Sequence, residues 1–202
     1  MTRRVAILLF DEFDLIDAGG PYEVFLTASR LAERDGLPPQ YEVLLVSSGG
    51  VDVVAFGGMT LTTLHDASAV GRVDIAIVPG TIDVAAAVAD PILASTVEGL
   101  LGASDVTASV CTGAFLLAQA GALEGKSATT HWEDVEDLAR TGKVAEARSG
   151  VRWVDEGDIV TAGGLTSGIH MALHLVARDF GVDHAARTAR QLGLPWDPTG
   201  AL

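Results

Sequence analysis

The stretch Asp105-Val-Thr-Ala-Ser-Val-Cys111-Thr-Gly-Ala-Phe-Leu-Leu117 decides the fold. Val106 to Val110 is a short, mostly apolar run of strand type, and Gly113 to Ala120 reads as a helix with Gly121 just past its end. No loop separates them, so a buried strand turns at once into a helix, and the residue at the corner is the only cysteine in the chain. So sharp a corner forces its central residue into strained backbone geometry, which small neighbours such as Ser109 and Gly113 tolerate. The thiol is then lifted to the C-terminal edge of the sheet, where α/β proteins hold their ligands, and the helix N-terminus is expected to lower its pKa. From these residues alone two readings stand: an activated nucleophile and a buried, inert thiol.

The flanking sequence repeats the alternation of strand and helix. Val5 to Phe10 and Asp74 to Val78 are short apolar runs of the kind buried on both faces of a parallel sheet, and Tyr41 to Ser47 reads as a third strand. Pro21 to Glu33 is expected to be a helix with Pro21 near its first turn, and the spacing of Ile92, Leu93, Thr96, Val97, Leu100 and Leu101 predicts a second over Pro91 to Leu101. Val51 to Thr63, with Gly57-Gly58, predicts an antiparallel excursion. Ala128 to Thr130, Val151 to Val154 and Ile159 to Ala162 read as late strands. A long helix follows on the stripe Ile169, Ala172, Leu173, Val176 and Phe180, and Asp183 to Leu192 forms a terminal one. The pattern predicts a three-layer α/β/α sandwich with a mostly parallel, flavodoxin-like sheet, in one domain over residues 1–202.

At 202 residues, roughly 70% of the unfolded chain's surface can be buried without a disulfide or structural metal. One cysteine excludes an internal disulfide and suits a reducing, cytoplasmic compartment. With 13 basic against 27 acidic side chains the net charge is −14, a field that repels phosphate backbones and anionic lipid, so no nucleic-acid or membrane partner is expected. Val106 to Leu123 carries no charge for 18 residues, but Thr107, Ser109, Thr112, Gly113, Gln119 and Gly121 interrupt it and it is not a span. The apolar run after Arg3-Arg4 is too short for a signal core and meets Asp11 and Glu12 at once, so a mature cytoplasmic protein is expected.

Three other motifs read as structure. Ala120-Gly-Ala-Leu-Glu-Gly-Lys-Ser127 fits a loose phosphate-loop pattern, but a helix precedes it and a strand follows, the reverse of what a phosphate cradle requires. His170 and His174 stand one helical turn apart without a third ligand nearby in sequence, and lie off the apolar stripe, which predicts a solvated or interface face. Asp11, Glu12 and Asp14 lack the glycine and closing glutamate of a calcium loop and are expected to be solvated. Neither a metal nor a cofactor is called for.

With the cysteine corner, the chain resembles the ThiJ/PfpI superfamily, related to the class I glutamine amidotransferase domain. Five segments in order carry the resemblance. These are Asp14-Leu-Ile-Asp17-Ala-Gly-Gly-Pro21, Val78-Pro79-Gly80, Ser109-Val-Cys111-Thr112-Gly113, Thr129-Thr130-His131-Trp132 and Gly163-Gly164-Leu-Thr166-Ser-Gly168. Asp rather than Glu at position 17, Val-Cys-Thr-Gly, Thr-Thr-His-Trp and the late Leu194-Pro-Trp-Asp-Pro are similar to the isonitrile hydratase branch.

The resemblance implies a cofactor-independent hydro-lyase that turns isonitriles into N-substituted formamides, with Cys111 as nucleophile, Asp17 as acid/base and Thr112 as a hydrogen-bonding helper. It implies Gly80, Thr81, His131 and Trp132 around the pocket, amides near residues 80, 81 and 112 for developing charge, a small-molecule substrate and a homodimer. Thr81 stands where many relatives carry a second glycine and adds bulk over the pocket. His131 reads either as a group orienting the thiol or as a strand-end residue bonded to backbone. The same superfamily implies three alternatives: a ligand-sensing module like the N-terminal half of certain transcription regulators, though no basic second domain is expected after Leu202; a redox protein acting through Cys111; and a glyoxalase or deglycase.

Overall fold

The computed structural model describes residues 1–62 and 64–201. In chain order the elements are β1 (Arg3–Leu8), α1 (Leu15–Arg34), β2 (Tyr41–Ser47), β3 (Val53–Val54), β4 (Thr60–Leu61), β5 (His65–Asp66), β6 (Val73–Val78), α2 (Val84–Ala89), α3 (Pro91–Ala103) and β7 (Ser104–Val110). They continue with α4 (Gly113–Gln119), β8 (Ser127–Ala128), α5 (Val135–Arg140), β9 (Glu146–Ala147), β10 (Trp153–Asp155), β11 (Ile159–Ala162), α6 (Ser167–Phe180) and α7 (Val182–Leu192).

The main sheet runs β10-β11-β7-β6-β1-β2-β5, and every pairing in it is parallel except β10 with β11. Val5, Ile7, Ile75, Ile77, Ala108 and Val110 face one apolar layer shared with α1, α6 and α7. Ala6, Leu8, Ala76 and Val78 face the other, filled by Leu93, Val97 and Leu100 of α3 and Leu116 and Leu117 of α4. Strands apolar on both faces and helices on either side make the α/β/α sandwich that the alternation predicts. Among the described residues no helix is long and apolar enough to cross a membrane.

Several boundaries move for physical reasons. Helix α1 starts six residues before Pro21, because Asp14 caps it by accepting from the Ile16 amide at 3.4 Å. Pro21 therefore lies inside the helix, where it removes the donor that would meet the Asp17 carbonyl. The strand expected over Ala128 to Thr130 stops at Ala128. Thr129 and Thr130 leave the ladder: the Thr129 amide donates to Thr161 Oγ1 at 2.9 Å and Thr130 Oγ1 donates to the Cys111 carbonyl at 2.8 Å. The strand expected over Val151 to Val154 shifts to β10, with Val151 instead bridging Ala201. The antiparallel excursion is the β3–β4 pair, with Thr63 lying outside the described residues.

The histidine pair corrects the sequence reading. His170 is buried rather than solvated, and burial lowers its pKa. His174 stacks on Trp153 at 4.9 Å and is hydrogen-bonded to Asp155 Oδ2 through Nε2 at 2.6 Å, so its polar end is taken up by a carboxylate. The acidic loop is likewise not only solvated: besides the Asp14 cap, Asp11 Oδ1 accepts from the Val54 amide at 2.9 Å.

Candidate active site

Cys111 takes the corner between β7 and α4 with φ = +55°, one of three non-glycine residues with positive φ among those described. Its amide donates to the carbonyls of Ala162 and Gly163 at 3.1 Å each, and its carbonyl accepts from Thr130. The strained corner is thus held by neighbours on both sides, which is how a sparsely populated conformation persists. The sulfur receives two backbone N–H groups, from Thr112 and from Leu165.

Asp17 reaches the same point from the first turn of α1. Its side chain is fully buried; Oδ2 accepts the Gly80 amide at 3.0 Å, the carboxyl lies beside the Cys111 thiol, and Oδ1 has no hydrogen-bond partner. Burial, then the charge of Asp14, push its pKa up to about 7, against the opposing pull of the Gly80 amide and the thiol. Burial, then the Asp17 charge, push the Cys111 thiol up to about 12, opposed by the Thr112 and Leu165 amides. The expected lowering by the helix N-terminus is overridden: α4 is only seven residues long, while the sulfur is buried beside a carboxylate. Around neutral pH the thiol therefore keeps its proton while the carboxyl passes between its acid and ionised forms, so that whatever charge the pair carries sits on oxygen.

The loop after β6 fits closely around this pair. A Cβ on Gly80 would lie 2.6 Å from Thr112 Oγ1 and 2.9 Å from Asp17 Oδ2, so only glycine permits the approach. Thr112 Oγ1 donates to the Thr81 carbonyl at 2.7 Å and accepts the Thr81 amide at 2.8 Å. Thr112 thus clamps the loop rather than aiming its hydroxyl at the thiol. The amides of residues 80 and 81, expected to face developing charge, are both engaged, by Asp17 and by Thr112. The two amides that do face the sulfur belong to Thr112 and Leu165. Leu165, itself in the left-handed region with φ = +51°, escaped the sequence reading; the only signal available was Gly163-Gly164 before it.

A cavity of about 410 Å³ opens over Cys111, with Thr81, Ile82, Val84, Thr112, His131 and Leu165 among its walls. His131 borders the cavity with Nδ1 3.4 Å from Asp134 Oδ2 and 3.7 Å from Glu133 Oε2, so its ring nitrogen is turned to carboxylates. A Cβ on Gly164 would lie 2.2 Å from His131 Cδ2, so that glycine seats the imidazole. Trp132, expected at the pocket, is 75% exposed and does not line this cavity. A larger groove, about 660 Å³, lies beside β5 and α3, away from Cys111.

A nucleophile-type corner, a buried carboxyl beside it and an α/β/α sandwich place the chain among known proteins. The pattern of the DJ-1/PfpI family matches residues 3–178. The chain belongs to the DJ-1/PfpI family. An uncharacterised protein from the cpoL 5′ region of Streptomyces lividans is 38% identical over 68% of this chain and 93% of its own length. The isonitrile hydratase of Pseudomonas putida is 32% identical over 95% of this chain and 78% of that protein. The HTH-type transcriptional regulator GbdR of Pseudomonas aeruginosa is 28% identical over 91% of this chain, but over only 48% of its own length. Among solved structures, a ThiJ/PfpI family protein from Pseudomonas syringae superposes with a TM-score of 0.83, at 22% identity, over 98% of this chain and 77% of that one. As a DJ-1/PfpI protein the chain shares its fold with enzymes and regulators alike, so its activity rests on the site.

Proposed function

We propose that this DJ-1/PfpI protein is a cysteine-dependent hydro-lyase that hydrates isonitriles to N-substituted formamides. The observation that carries the reading is the fully buried Asp17 carboxyl beside the Cys111 thiol, with a cavity open over the sulfur. Likeness to the isonitrile hydratase over nearly the whole chain supports it. In the proposed cycle the Asp17 carboxylate takes the thiol proton as sulfur bonds to the terminal isonitrile carbon. It then delivers that proton to the same carbon, giving a thioimidate. Water adds across the C=N bond, with Asp17 accepting one of its protons and passing it to nitrogen. Collapse of the adduct expels sulfur, which regains its proton, and the formamide departs.

In this cycle the amides of Thr112 and Leu165 hold charge on sulfur as it forms and leaves, while Thr112 and Gly80 act by fixing the loop. The reading takes the enzyme as a cytoplasmic protein acting on a small molecule, in keeping with its single cysteine, and as a homodimer, as the family resemblance implies. The test is formamide appearance from alkyl isonitriles. Cys111→Ala and Asp17→Asn should each lower turnover by more than about 10²-fold; undiminished turnover in Cys111→Ala would refute the covalent route.

A further inference from the structure

The walls of the Cys111 cavity carry three carboxylates, Asp14, Glu133 and Asp134, and neither Lys nor Arg is among them. Among the described residues no Lys or Arg comes within 4.0 Å of any of the three. The one imidazole on the walls, His131, has its Nδ1 already facing Glu133 and Asp134. The negative charge is felt at the reacting atoms, since Asp14 shifts both Asp17 and Cys111 towards their protonated forms. Ile82, Val84 and Leu165 supply an apolar wall beside the carboxylates, so a bound molecule would meet low-dielectric surface on one side and acidic groups on the other.

We propose that this cavity selects electrophiles whose substituent is positively charged and rejects those whose substituent is an anion. The inference rests on the hydratase reading for the reaction, making the favoured substrate an isonitrile bearing an ammonium group, but not for the charge preference. A carboxylate-bearing or phosphorylated molecule would bring like charge against Asp14, Glu133 and Asp134. An ammonium group would find them without displacing a lysine or arginine.

Because Cys111 is the only thiol, the two claims can be tested apart. In the first arm the full-length protein is labelled with a matched trimethylammonium-ethyl and sulfonato-ethyl methanethiosulfonate pair. Rates are followed by mass and normalised to a free small thiol. The cationic reagent should react on the order of tenfold faster at low salt. That ratio should shrink as salt is raised, and in Glu133→Gln and Asp134→Asn. A normalised ratio at or below one overturns the inference, as does failure of both reagents to reach the sulfur. In the second arm a trimethylammonium-alkyl isonitrile, a neutral alkyl isonitrile and isocyanoacetate are compared by kcat/KM. Preference for the cation supports the inference, while turnover without charge preference sinks it and leaves the hydratase reading standing. Selective labelling with no turnover of any isonitrile sinks the hydratase reading and leaves the charge selection standing.

Discussion

Two atoms, the Cys111 sulfur and a carboxylate oxygen of Asp17, set the chemistry at the residue scale. A carboxyl titrating near 7 in the fold and near 3.8 when unfolded binds its proton more tightly in the native state. The sign follows: burying Asp17 costs nothing below about pH 4, costs progressively more as pH rises through 7, and reaches a plateau of order 4 kcal/mol above that. Asp17→Asn should therefore raise the melting temperature at pH 8 and leave it nearly unchanged at pH 4, as read by thermal unfolding at the two values. The proposed hydration needs the opposite form. The carboxylate has to accept the thiol proton, so kcat/KM in the proposed hydration should climb with pH to a plateau above about 7. A profile that falls through that point would assign the acid form of Asp17 as the working one. Cys111 was legible as a corner residue because Ser109 and Gly113 flank it and no loop intervenes. Its pKa was not, since a helix N-terminus is a local feature whereas Asp17 lies 94 positions away in sequence.

At the scale of elements, the site is a meeting of segments that each end early. Helix α1 carries Asp17 inward, the loop after β6 packs its glycine against that carboxylate, and the turn after β11 doubles back to present the Leu165 amide. Gly80→Ala should be severe, because the new methyl meets Thr112 Oγ1, the Thr112 amide and Asp17 Oδ2 at 2.6 to 2.9 Å. We expect a loss of about 1–3 kcal/mol in stability by urea unfolding, with activity falling further than stability explains. The parallel strands and the long helices were legible from apolar runs and from 3.6-residue spacing. The shifts came where long-range hydrogen bonds outweigh local pattern. Pro21 looked like a helix start although Asp14 had already capped one, and Thr129 and Thr130 looked like strand although their partners are Thr161, Arg148 and Cys111. His170 read as solvated because it lies off the apolar stripe of its own helix, yet the fold buries it, and Trp196 Nε1 donates to its carbonyl at 3.3 Å.

For the molecule as a whole, a surplus of fourteen negative charges is organised rather than spread at random. Most arginines and lysines are spent in ion pairs, such as Arg3 with Asp74 and Asp179, Arg187 with Asp35 and Arg178 with Asp155, leaving the mouth over Cys111 acidic. The sequence shows the surplus but not its address, which depends on which carboxylates the fold leaves without a basic neighbour. The order of the parts along the chain has a consequence for synthesis. Asp17, Gly80 and Cys111 leave the ribosome well before Ala162, Gly163 and Leu165, whose carbonyls and amide hold Cys111 in place. A nascent chain that has not yet added β11 carries an ordinary, open thiol. Pulsed alkylation during refolding should find Cys111 reacting fast until β11 docks on β7 and more slowly afterwards, so that completion of the sheet and closing of the site are one event.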